Sequence, residues 1–135
     1  MKIILDTNIW ISFLLGQRLD TIRSIVEDNR FEVYLCPHLA TEIFDVARRD
    51  KIQRYISHND IIDLRRIISA FCHMVDIKKE ASSIIRDRKD LYLLSLAETV
   101  DANYIVSGDA DLTVLGQHKN TQIITLSEFR NLLLK

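Results

Sequence analysis

The sequence predicts an α/β fold, a three-layer α/β/α sandwich around a mainly parallel central sheet of four to five strands. Short apolar runs rich in β-branched residues alternate with longer stretches of helical periodicity, the order that produces crossover connections and a sheet covered on both faces. The 135 residues include three glycines and one proline, too few for the turns of an all-β sandwich or barrel and unlike disordered or collagen-like chains. At this length about two-thirds of the unfolded chain's surface can be buried, so a core forms without disulfides or metal staples.

Taken in order, Lys2 to Leu5 is the first strand, stopped by Asp6. Asn8 to Asn29 carries helical patterning broken near Gly16, which predicts one or two helices. Phe31 to Cys36 is the second strand. Pro37, whose fixed φ and missing N–H suit a first helical turn, opens a helix to about Arg49. Ser57-His58-Asn59-Asp60 supplies capping chemistry ahead of Ile61, Leu64, Ile68 and Phe71, an apolar stripe at helical spacing. Met74 to Ile77 is a weak strand, and Leu91 to Val100, apolar on most sides, is a helix buried against the sheet. Asn103 to Val106 and Thr121 to Thr125 complete the strands. Thr125-Leu126-Ser127-Glu128 is a capping-box pattern that opens a terminal helix through Leu133.

With 47% hydrophobic and 27% charged residues and no repeat, linker or break in composition, residues 1–135 read as a single domain. Eighteen basic side chains oppose nineteen acidic ones, so a polyanion must be held by local basic patches or by metal rather than by overall charge. Cys36 and Cys72 lie in apolar stretches, as free thiols do in a reducing compartment. Asp6 interrupts the N-terminal apolar run too early for a signal peptide, and no apolar stretch reaches the roughly 18 residues of a membrane span. A cytoplasmic protein with no membrane partner is expected.

In parallel sheets the ligand site lies beyond the carboxyl ends of the strands. Asp6 directly follows the first strand, and Asp109 follows Tyr104-Ile105-Val106 after Ser107 and Gly108, which places both carboxylates on one rim. Glu42 lies about one and a half turns into the helix after the second strand, and Asp90 opens the buried helix, so both come within reach of that rim. Carboxylates converging within a few ångströms repel by roughly several kcal/mol at an effective dielectric near 20, unless a cation lies among them. Oxygen donors without Cys or His ligand spacing favour Mg²⁺ or Mn²⁺ over Zn²⁺, and such an ion can activate water and stabilise the leaving oxygen of a phosphodiester.

Spacing alone leaves plainer roles open. Asp6, Asp90 and Asp109 also suit turns or helix caps, and Glu42 a solvated face. His38, His58, His73 and His118 have no ligand spacing, and Trp10, set among Ile9, Ile11 and Phe13, suits core or subunit packing better than base stacking. Two basic clusters, Arg48, Arg49, Lys51 and Arg54 and then Arg86, Arg88 and Lys89, are either solvated ends or phosphate contacts. A receiver-type phosphotransfer domain needs a strand-end lysine that the late strands lack. A haloacid-dehalogenase-type phosphatase needs Asp-x-Asp where Asp6 is followed by Thr7-Asn8.

Ile4-Leu5-Asp6-Thr7-Asn8-Ile9-Trp10-Ile11 resembles the opening of PIN-domain nucleases, in which hydrophobic residues precede Asp-Thr-Asn. The run from Arg86 through Asp90 to Ala97 is similar to that family's acidic helix opening. Ala102 to Leu112, with Ser107-Gly108-Asp109-Ala110-Asp111 at its centre, is similar to its later strand-and-acid segment. The resemblance extends to Ile123 through Phe129 and so covers nearly the whole chain, most closely matching toxin components (VapC-like) of toxin–antitoxin pairs.

The resemblance implies an acidic quartet of Asp6, Glu42, Asp90 and Asp109, an auxiliary acid at Asp111, and supporting polar positions at Thr7, Asn8 and Ser107. It implies a Mg²⁺- or Mn²⁺-dependent endoribonuclease in which Asp6, Asp90 and Asp109 chiefly hold the ion for hydrolysis to a 5′-phosphate and 3′-hydroxyl. Glu42 would hold or orient a second ion or the water. The sequence departs from the pattern twice, with Asp87-Arg88 in place of Asp-Pro and Leu91 in place of a second Asp; Asp90 keeps the position nearest the helix opening, so the site is expected to survive, with loss of the extra acid weakening a second metal position. RNA contacts would come from Arg48, Arg49, Arg88 and Lys89, and a homodimer and an antitoxin protein are the implied partners. The competing expectation within the family is an inactive PIN-like domain that serves only to bind protein or RNA.

Overall fold

The computed structural model describes residues 1–77 and 91–134. Strand β1 (Lys2–Leu5) lies at the centre, with Ile3, Ile4 and Leu5 fully buried, as a parallel strand covered on both faces requires. It pairs in parallel with β2 (Glu32–Leu35) on one side and with β4 (Tyr104–Val106) on the other. Beyond β2 lies β3 (His73–Met74), and beyond β4 lie β6 (Thr121–Ile124) and then β5 (Gln117–His118). Among the described residues the order β3-β2-β1-β4-β6-β5 gives six strands, of which β5 alone runs antiparallel. The additional strand beyond the expected four to five is the two-residue β5, too short to carry an alternating pattern. β3 likewise starts at His73, where a strand over 74–77 was expected.

Helices α1 (Thr7–Leu15), α2 (Leu19–Glu27), α3 (Pro37–Ala47), α4 (Asp50–Gln53) and α5 (His58–Phe71) fall between β1 and β3, while the chain moves steadily outward across the sheet. Right-handed crossovers in one direction place their helices on one face, and α1 packs on α2 and α3, and α2 on α5. The chain then returns past β1 to β4, so α6 (Leu91–Val100) crosses the opposite face, against β1 and β4. This is the predicted sandwich. The reversal of winding makes a topological switch point between the carboxyl ends of β1 and β4, the place where such sheets open a crevice.

Helix α7 (Ala110–Thr113) follows β4, and α8 (Leu126–Leu133) follows β6. Capping boxes start α5, through Ser57 and Asp60, and α8, through Thr125 and Glu128, as the sequence predicts. The expected helix from Pro37 to Arg49 ends earlier, at Ala47, because Arg49 turns extended (ψ 141°) to begin α4. Trp10 is fully buried, and its indole Nε1 donates to the Leu5 carbonyl at 3.0 Å, so it locks α1 onto the strand that precedes it. None of the described helices is long and apolar enough to cross a membrane, and Cys36 and Cys72 are free.

Candidate active site

β1 ends where the Asp6 backbone N–H donates to the Val106 carbonyl at 2.9 Å, and Asp6 then becomes the N-cap of α1. Its carboxylate is clasped from two directions. Oδ1 accepts the Thr7 backbone N–H at 2.7 Å, and Oδ2 accepts the hydroxyl of Ser107 at 2.8 Å. Ser107, fully buried just past β4, also accepts the Asp109 backbone N–H at 3.0 Å. Asp109 caps α7 by accepting the Asp111 N–H at 2.9 Å. The cap role and the rim position that the sequence left as alternatives therefore coincide: capping fixes which way each carboxylate faces.

Glu42 approaches from α3. Its Oε2 accepts the Thr7 hydroxyl at 2.7 Å and the phenolic hydroxyl of Tyr92 from α6. Thr7 thus couples Asp6 through its backbone to Glu42 through its side chain. The Tyr92 ring in turn stacks on His38, with centroids 3.9 Å apart and planes 11° from parallel.

Asp6 is 6% exposed, and burial raises its pKa above the ordinary 3.8. The Ser107 and Thr7 donors oppose that rise, whereas the nearby charges of Glu42 and Asp109 add to it. Burial also pushes the Tyr92 phenol upward, reinforced by the Glu42 carboxylate, so this hydroxyl stays a proton donor. The groups acting on Asp6 are thus two hydrogen-bond donors and two like charges, an arrangement that fits an oxygen-liganded divalent cation in donor type and in sign.

The structure brings together Asp6, Thr7, Glu42, Ser107 and Asp109. Asp90, Arg86, Arg88 and Lys89 lie outside the described residues, and among those described no three Asp, Glu, His or Cys side chains cluster tightly enough to hold one ion. Asn8 is exposed on the first turn of α1. Asp111 is exposed on α7 and joins the network through its backbone rather than its carboxylate. Arg48 and Arg49 are exposed at the end of α3, Arg48 at 3.9 Å from Asp45. Sequence reasoning missed Tyr92 and His38. The available signal was a phenol inside the apolar run Leu91 to Leu94, since a buried Tyr hydroxyl needs a partner.

The fold is similar to that of one chain in the crystal structure of VapBC2 from Rickettsia felis bound to a DNA fragment from their promoter. The TM-score is 0.57 at 13% identity, over 93% of this chain and 98% of that one, a likeness of fold. Among curated proteins none matches the sequence. The PIN domain family matches residues 2–111, most of the chain, and strand-end acids at the switch point of a parallel sheet sit within that span: the chain belongs to the PIN domain family.

Proposed function

We propose that this PIN domain is a metal-dependent endoribonuclease that hydrolyses RNA phosphodiester bonds as the toxin of a toxin–antitoxin pair. The observation that carries the reading is the buried Asp6 carboxylate, clasped by Ser107 and Thr7 on a rim shared with Asp109 and Glu42, whose charges, among the described residues, are of like sign. Asp6, Glu42 and Asp109, with Asp90 and Asp111, would hold Mg²⁺ or Mn²⁺. Bound there, such an ion would offset the charge of this cluster and supply what phosphodiester hydrolysis needs, an activated water and stabilisation of the leaving 3′-oxygen.

The chain's own residues do the positioning. Ser107 and the Thr7 N–H fix both oxygens of Asp6, and the Thr7 and Tyr92 hydroxyls hold Glu42 Oε2 and leave Oε1 for the reaction centre. Such outer contacts orient ligands and commonly matter nearly as much as the ligands themselves. Asn8, Arg48 and Arg49, with Arg88 and Lys89, would meet phosphates. The reading includes one domain over residues 1–135, a cytoplasmic setting and a homodimer. It also includes an antitoxin protein partner, which the VapBC2 likeness supports.

The test is incubation of purified protein with total RNA and Mn²⁺, with the cut ends mapped, beside Asp6→Asn. Cleavage that leaves 5′-phosphates, stops with chelator and is absent from Asp6→Asn is expected. Equal cleavage by both proteins overturns the assignment.

A further inference from the structure

We propose that His38 is a nucleobase-stacking residue, and that the hollow along α3 beside it binds one unpaired base and its phosphate. This rests on the nuclease reading and names a subsite of the same site. The hollow, about 540 Å³, is lined by Pro37, His38, Thr41, Glu42, Asp45 and Arg49 among others. His38, Glu42 and Asp45 are spaced by four and three residues, so they share one stripe of α3, and Arg49 continues it just past the helix. His38 stands one turn, about 6 Å along the axis, from Glu42. A base held there is therefore next to the cleavage site.

The imidazole is pre-oriented for stacking. One face lies flat on Tyr92, which is itself 9% exposed and tethered by its hydroxyl to Glu42. His38 is exposed, and among the described residues no ring other than Tyr92 stacks on it, which leaves its other face for a second flat ring. An aromatic surface already fixed on one side gives up little rotamer freedom on binding, and base–aromatic stacking tolerates any base because each has a π-face.

The far end of the hollow supplies the charge. Arg48 lies 3.9 Å from Asp45 and partly neutralises it. The Arg49 guanidinium has no ion pair or hydrogen bond among the described residues, so it is available to a phosphate oxygen. Ring, carboxylate and guanidinium in this order match base, scissile region and flanking phosphate of a single strand. A duplex, whose bases are already stacked and paired, cannot offer a ring to His38.

The test is equilibrium binding, in chelator so that no cleavage intervenes, of a single-stranded RNA carrying 2-aminopurine at successive positions. Wild type is expected to quench the fluorophore at one position. His38→Ala should lose that quench and bind roughly 5- to 150-fold more weakly, the range for one lost base stack. His38→Phe should restore both, and Arg49→Ala should flatten the slope of log affinity against log salt by about 0.7, one single-strand phosphate. Unchanged quench and affinity in His38→Ala overturn the subsite, as does equal quenching of a paired duplex. If wild type still cleaves RNA with Mn²⁺, the nuclease reading survives that result; if wild type neither binds nor cleaves RNA, both fall.

Discussion

Ser107 serves two neighbours with one hydroxyl: its proton goes to Asp6 Oδ2, and its oxygen takes the Asp109 N–H. Both links are buried or nearly so, and a buried polar group left without a partner loses its hydration uncompensated. Ser107→Ala should therefore destabilise the protein by about 1–3 kcal/mol, read as a lower urea midpoint at unchanged slope. Asp6→Asn should act in the opposite direction. Burial holds the Asp6 pKa above 3.8, so at neutral pH the ionised carboxylate works against the folded state. An amide accepts from the Thr7 N–H and donates to Ser107 while carrying no charge. In chelator at pH 7, Asp6→Asn is expected to melt at or above the wild-type temperature, and a melting point well below it would show that this carboxylate is not strained by its surroundings. A residue that stabilises when removed, in a buried cluster of like charge, is one whose cost is offset by something other than the fold.

At the scale of elements, α6 is held at both ends. Its first turn is tied to α3 through Tyr92, and near its end Glu98 accepts from His118 Nε2 at 3.0 Å and from the Lys119 ammonium, which belong to β5 and the turn leading into β6. The hydrogen bonds from Lys119 and then His118 hold the Glu98 carboxyl below its ordinary 4.5. A depressed acid contributes stability that is present above the unfolded value and is lost as pH falls through the folded one. The Glu98 side chain is 21% exposed and Lys119 63%, so Glu98→Gln should cost no more than about 1 kcal/mol at pH 7. The two proteins should melt together once the pH lies below the depressed folded-state value, where Glu98 is protonated in both states. A difference that persists there would assign the effect to packing. The elements readable in the sequence are those whose signal is local: the caps at Ser57 and Thr125, Pro37 opening α3, and the apolar runs of β1 and α6. β5 and the split between α3 and α4 were not, because a two-residue strand has no period and the break at Arg49 follows from its backbone turning extended rather than from any Gly or Pro.

At the scale of the molecule, the same contrast holds for the site. Asp6 and Asp109 could be placed on one rim from sequence because each ends a recognisable strand, and parallel strands put their ends together. The Tyr92–Glu42–Thr7 link and the His38–Tyr92 stack could not, since α3 and α6 cover opposite faces and these contacts join them over the rim where the winding reverses. That rim gathers negative charge in a chain whose net charge is only −1, so the repulsion is local, and a small bound cation, not bulk salt, would relieve it. An ion that binds the folded state and not the unfolded chain stabilises by about 2.7 kcal/mol at one hundred times its dissociation constant. For a chain of this length that corresponds to a rise of roughly 10 °C in melting temperature. Mn²⁺ titration followed by calorimetry should show such a rise in wild type, approached logarithmically and without saturation in concentration, and little or none in Asp6→Asn. Ca²⁺, which prefers more and longer oxygen contacts than Mg²⁺, should produce a smaller shift. A wild-type melting temperature indifferent to Mn²⁺ would instead favour the family's inactive, binding-only form, with the acids at β1 and β4 reduced to helix caps.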